Sequence, residues 1–168
     1  MSKWQSLLLV FIAAALAAPA RSPAAAGEPV TVAVADFDYG DTSGEAVDQT
    51  ASHRDRMVMF AAELRDRLMQ SGYRVVRPAC PQPACTAAGM APGDLVAAAR
   101  HDGARYLVYG GIRKMSTLVQ WGEVQLLDAE RDELLLRRTV TFRGDTDTAF
   151  RRAADFVGET VTGAMAAP

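Results

Sequence analysis

A chain of 168 residues that is 49% hydrophobic and 23% charged, with a formal net charge of -2, has the profile of one ordinary globular domain. Collagen-like, low-complexity and disordered chains are thereby excluded. The 18 Lys and Arg against 20 Asp and Glu leave no basic surplus to neutralise a phosphate backbone, so no nucleic-acid partner is expected.

Lys3 precedes the apolar run Leu7 to Ala18, which is followed by small residues. This is the charged, apolar and cleavage order of a secretory signal peptide, and the run is too short to span a bilayer comfortably. Ala18-Pro19-Ala20 and Ala24-Ala25-Ala26 both fit the cleavage pattern. The expected division is a leader over 1–20, with cleavage as late as 26 as the alternative, a linker over 21–29, and one α/β domain over 30–165. No cysteine precedes Cys80, so a lipid-modified amino-terminal Cys is not expected. The processed product is expected to be periplasmic, without a stable membrane anchor.

Val30 to Phe37 is almost continuously apolar and β-branched, as a strand covered on both faces is. Asp38 to Ser52 has no period and reads as a long loop. Ser52-His53-Arg54-Asp55 resembles a capping box, and Met57, Phe60, Ala61, Leu64 and Leu68 then follow at helical spacing as far as Gly72. Tyr73 to Arg77 is a short strand stopped by Pro78. Asp94 to Asp102 is a second helix, Arg105 to Ile112 a strand, and Ser116 to Leu127 another. After a turn over Asp128 to Asp132, Glu133 to Phe142 forms a fifth strand, expected to place Leu134, Leu136, Val140 and Phe142 on one face. Asp145-Thr146-Asp147 caps a last helix carrying Phe150, Ala153, Ala154, Val157 and Val161. The order β-α-β-α-β-β-β-α predicts a mixed α/β sandwich of five strands and three helices, with parallel pairing early and antiparallel pairing late.

Cys80 and Cys85 are expected to form a disulfide, since an oxidising compartment favours pairing at this spacing. Redox exchange is disfavoured by the four intervening residues with two prolines. Asp36 and Asp38 stand at the carboxyl end of the first strand, where open α/β sheets build their sites. They are candidates for binding a cation or for acid-base work if the strand continues through Asp38 and puts both on one face, but the preferred reading is that they bond nearby backbone amides. Arg113 and Lys114 could mark an anionic ligand or a partner, or a guarded strand edge. His53 and His101 have no metal-ligand spacing and read as solvated, and the methionines as core. The nucleophile-elbow, phosphate-loop, dinucleotide, zinc-protease and haem motifs do not occur in the sequence, so no catalytic residue, metal or cofactor is assigned.

Six segments carry a resemblance in their order and spacing: Val34-Ala35-Asp36-Phe37, Ser71 to Val76, the cysteine pair, Gly103 to Gly110, Lys114 to Leu118, and Phe142 to Asp147. Together they resemble an uncharacterised family of exported proteobacterial proteins, a domain of unknown function. Phe150 departs from the aromatic, often Trp, expected soon after the last segment. The topology is also similar to the amino-terminal domain of TolB and to curli-secretion-type proteins, which implies a periplasmic interaction module rather than an enzyme. Proximity of some similar proteins to periplasmic quinoprotein dehydrogenase systems implies an accessory role. The expected function is therefore an accessory or scaffold protein that binds another envelope protein, with contacts on the Asp38 to Ser52 loop and the Arg113 to Thr117 segment. The alternative is a small-ligand or cation sensor using Asp36, Asp38 and Lys114.

Overall fold

A computed structural model of the chain describes residues 28–81 and 85–167; the expected leader lies outside the described residues. β1 (Thr31–Val34) is buried along its whole length, as its unbroken apolar character requires. It pairs in parallel with β3 (Arg74–Val76) on one side and with the start of β4 (Tyr106–Ser116) on the other. Two long antiparallel strands, β5 (Val119–Asp128) and β6 (Glu133–Arg143), complete the order β3-β1-β4-β5-β6.

The mixed sheet and three helices are as the sequence predicts, with one added strand. The chain leaves β1 at Ala35 and re-enters the sheet as β2 (Asp38–Asp41), in parallel with the distal half of β4 from Asp38 beside Gly111 to Asp41 beside Lys114. The predicted loop therefore begins only after Asp41. In Asp-Tyr-Gly-Asp only Tyr39 favours a strand and no apolar alternation is present, so the distant β4 partner creates this strand.

Helices cover the two sheet faces unequally. α1 (Thr50–Gln70) buries His53, Met57, Phe60, Ala61, Leu64 and Leu68. Its first residue precedes the predicted capping box, and the Gln49 side chain makes no cap bond. α3 (Asp147–Ala166) buries Phe150, Ala153, Ala154, Val157 and Val161 behind a Thr146 cap whose side chain accepts from the Ala149 amide. Arg56 pairs with Asp147 and Arg67 with Glu159, so α1 and α3 run side by side in the same direction. Their apolar stripes meet Val108, Val124, Leu126 and Val140 of the sheet in the larger core. Each large side chain buried there contributes roughly 1.5–3 kcal/mol. The shorter α2 (Pro92–His101) starts two residues before the predicted position, with proline in its first turn. It packs Leu95, Val96 and Ala99 on Ala33, Ala35 and Leu107 of the opposite face, together with Cys85. Cys80 and Cys85 are disulfide-bonded.

Among the described residues, no helix covers the rest of that second face, and Trp121 on it is 39% exposed. In β6 the register shifts, so that Leu126 faces Leu136 but Leu127 faces Leu134. This irregularity puts Leu135 against the larger core and leaves Leu134 exposed, where strict alternation predicted Leu134 inside.

Candidate functional site

Two polar centres are built on opposite faces of β4. On the helix side Lys114 is fully buried. Its ammonium donates to Glu45 Oε2 at 2.6 Å, Gln49 Oε1 at 2.8 Å and Asp145 Oδ2 at 2.8 Å, which occupies all three of its hydrogens. Gly144, at φ 102°, makes the turn between β6 and α3 that delivers Asp145. The Asp145 carboxylate also meets Nε2 of His53 at 3.0 Å and accepts from Arg56 Nη1. Within the Asp145-Thr146-Asp147 run expected to cap α3, Thr146 makes the cap bond, while Asp145 turns inward. The Tyr39 ring stacks on His53 at 4.4 Å. The segment after β2 is held by the Thr42 amide and hydroxyl, which both donate to the Lys114 carbonyl at 2.9 Å. An open cleft of about 570 Å³ lies alongside, lined by Phe37, Tyr39, Asp41, Glu45 and His53 among others.

Two expectations are corrected at this centre. His53 is 2% exposed rather than solvated. It occupies the same helical stripe as Met57 and Phe60, a periodicity that was available in the sequence. Lys114 guards no sheet edge, because β4 is an interior strand.

Burial works against the charge on Lys114, but the hydrogen bonds it donates to Asp145 and Glu45 outweigh it and raise the Lys114 pKa above its ordinary 10.5. For Asp145, burial pushes the pKa up, yet Lys114 and His53 hold it below the usual 3.8. A carboxylate with a depressed native pKa stabilises the fold fully above its unfolded value and loses that contribution as pH falls through the native one. A lysine with a raised pKa does so below its unfolded value, losing it as pH rises through the native one. Urea unfolding is therefore expected to show these contributions constant between roughly pH 5 and 10, failing below about 4 and above about 10.5. The Asp145→Asn variant, weaker at neutral pH, is expected to lose less stability than the parent between pH 5 and 2; an equal loss would contradict the assignment.

Asp36 forms a separate clasp. Its carboxylate accepts from Arg77 Nε at 3.0 Å, Arg65 Nη2 at 3.3 Å and the Cys85 amide at 3.0 Å. Burial raises its pKa, but Arg77 and the Cys85 amide overcome this and leave it below 3.8. Asp36 thereby ties the end of β1 to α1, to the segment after β3 and to the disulfide loop. Asp38 accepts from the Ala88 amide at 2.9 Å. The two aspartates have different partners and do not converge on a common point. No group of three or more His, Cys, Asp or Glu side chains arranged to hold a metal ion occurs among the described residues.

On the uncovered face, β-pairing sets Asp38 beside Gly111 and Gly40 beside Arg113, while Trp121 of β5 faces Arg113 and Glu123 faces Gly111. These residues line a groove of about 350 Å³. A Cβ on Gly111 would lie 3.1 Å from the Asp38 side chain, so glycine admits the close approach. Next to it Tyr109 Oη donates to Gln125 Oε1 at 2.7 Å, Gln125 Nε2 donates to Glu123 Oε1 at 2.8 Å, and Arg137 Nε lies 3.2 Å from the same oxygen. Of the residues singled out from the sequence, Asp38 and Arg113 meet here. Lys114 points to the other face because successive strand residues alternate. Trp121, Glu123 and Tyr109 were missed, although the alternation of Trp121, Glu123 and Gln125 against Gln120, Val124 and Leu126 marks them as one face.

These features define an α/β domain with two parallel helices on one side of a mixed sheet and a partly open sheet on the other. Similar solved structures include the hypothetical protein CT253 from Chlamydia trachomatis, at TM-score 0.54 and 10% identity, covering 83% of this chain and 99% of that one. TolB from Acinetobacter baumannii is similar at TM-score 0.51 and 17% identity, covering 83% of this chain. The match spans only 29% of the TolB chain. A dodecamer of a PelC point variant from Paraburkholderia phytofirmans is similar at TM-score 0.51 and 15% identity, covering 83% of this chain and 90% of that one. Identities this low establish the fold alone. No curated protein matches the chain in sequence. The chain belongs to the family described as Protein of unknown function (DUF2380), whose model matches residues 30–160. The resemblance read from the six segments is thus met at both levels, in family and in fold. Two of those segments, around Lys114 and around Asp145, are joined by the buried ion pair.

Proposed function

We propose that the chain is a periplasmic accessory protein that binds another envelope protein through the groove of Asp38, Arg113, Trp121 and Glu123. The observation that carries this reading is the convergence of β2 and the distal half of β4 on a sheet face that no helix covers among the described residues. Trp, Tyr and Arg at the centre of a patch are the side chains that dominate protein-protein binding energy. Here Trp121 and Arg113 are exposed, and Arg113 has no carboxylate partner among the described residues. The periplasmic assignment rests on the leader-like first twenty residues. A component of a quinoprotein dehydrogenase system is the partner that the family resemblance suggests. Among the described residues no helix is long and apolar enough to cross a membrane.

Crosslinking of the tagged protein in intact cells tests this. One stoichiometric partner is expected with the parent protein, and its recovery is expected to fall about tenfold or more with Trp121→Ala and Arg113→Glu, as for truncation at an interface centre. Undiminished capture by both variants would refute the groove. A small-ligand sensor is the second reading, favoured by the cleft beside His53 and by a buried Tyr39 hydroxyl that has no hydrogen-bond partner there. Recovery of the protein alone, with a rise in melting temperature on adding small periplasmic metabolites, would select it.

A further inference from the structure

β6 ends the sheet and, among the described residues, pairs with β5 alone. An open edge offers unpaired backbone groups, and proteins usually protect it by shortness, proline or irregularity. β6 has eleven residues and no proline, and its register irregularity is confined to the Leu134–Leu136 end. From Arg138 to Arg143 its pairing with β5 is unbroken.

Along that regular stretch runs a groove of about 420 Å³ between β6 and α3, separate from the Asp38–Trp121 groove. Its apolar floor includes Phe142, packed edge-on against Phe150 at 5.0 Å, and Phe156, which is 44% exposed. Its charged lining residues, Arg143 and Arg152, are both cationic and exposed. Neither these two nor Arg138 has a carboxylate partner among the described residues. Arg151, by contrast, pairs with Glu63.

Charge decides the occupant. Two copies joined edge to edge about Arg138 would set Arg138 against Arg138 and bring two basic edges together, which is destabilising. An extended acidic segment would instead add main-chain hydrogen bonds and place carboxylates on guanidinium groups suited to receive them. We propose that the Arg138–Arg143 edge of β6 is a second binding site that takes an extended acidic polypeptide segment of a partner as an added strand. Its carboxylates meet Arg143 and Arg152, and an apolar side chain rests on Phe142 and Phe156.

The probe is a fluorescein-labelled peptide of four Glu-Val repeats, compared with four Lys-Val repeats, measured by anisotropy with the purified protein. The Glu-Val peptide is expected to bind at least about tenfold more tightly, with the preference reversed in the charge-swapped variant R143E/R152E. Both positions are exposed, so that variant is expected to keep the parent circular dichroism spectrum and melting profile. Amide exchange at residues 138–143 is expected to slow when the Glu-Val peptide is bound. Four results would overturn the proposal: no binding of either peptide, equal binding of both, binding without protection of those amides, or a dimer in sedimentation that protects them without peptide. The Trp121→Ala variant is expected to bind the Glu-Val peptide as the parent does, which separates failure of this site from failure of the other groove.

Discussion

Lys114→Met is expected to lower the unfolding free energy by about 3–5 kcal/mol, the range seen when one partner of a buried ion pair is removed. Methionine nearly matches the length of the lysine stem, so the loss is not a packing defect. The cost arises because Asp145 and Glu45 keep their charges while losing the ammonium that offset their desolvation. Asp145 retains His53 and Arg56, which places the effect nearer the lower end. Urea titration at pH 7 measures it, and a melting temperature lower by roughly 10 °C is the matching thermal result. The double variant Lys114→Met with Asp145→Asn is expected to be less destabilised than the sum of the single variants, because the second change removes a charge the first has orphaned. Strict additivity would mean that the two side chains do not act as a pair.

Gly110→Ala is expected to cost about 3 kcal/mol, at the upper end for overpacking, because the obstruction is backbone and cannot rotate away. A Cβ at Gly110 would stand 2.2 Å from the Glu123 carbonyl oxygen, 3.1 Å from Val124 Cα and 3.1 Å from the Phe37 ring. To admit it, β4 and β5 must separate where the sheet passes under the larger core. Gly93→Ala is the control. Nothing lies within 4 Å of its added methyl, and alanine favours the α2 helix by up to about 1 kcal/mol. Equal urea midpoints for Gly110→Ala and the parent protein would show that the two strands have more room than this packing implies.

What could be read from the chain alone was whatever depends on neighbours in sequence. β1 declares itself by its unbroken apolar run, the stripes of α1 and α3 by helical period, and β5 and β6 by two apolar stretches on either side of a turn. β2 does not, because Asp-Tyr-Gly-Asp becomes a strand only through hydrogen bonds to a partner about seventy residues away. The same gap hid the ion-pair cluster. Arg113-Lys114 looked like a polar interruption after Ile112, whereas β4 continues to Ser116 and buries the lysine against side chains from two other segments, the β2–α1 and β6–α3 connections. The Asp-Thr-Asp run was legible as a helix start but not as the source of an inward carboxylate, since its target lies across the sheet. Asp36 and Asp38 could share a face only if the first strand ran on through Asp38, and bonding to nearby backbone amides was the other reading of the pair. The break between β1 and β2 gives them separate amides and separate surroundings.

That broken strand also sets the timetable of folding for a chain that emerges amino terminus first. β4 to α3 form a contiguous stretch whose antiparallel partners follow one another closely, so they can assemble soon after they appear. β1 has no such neighbour. Thr31 to Ala33 can pair with Arg74 to Val76 once α1 has been made, but the other side of β1 waits for Tyr106 to Val108, and Asp41 waits for Lys114. Until then, one side of an apolar segment that ends up deeply buried stays open to water. It is the segment most in need of shelter during synthesis or transport.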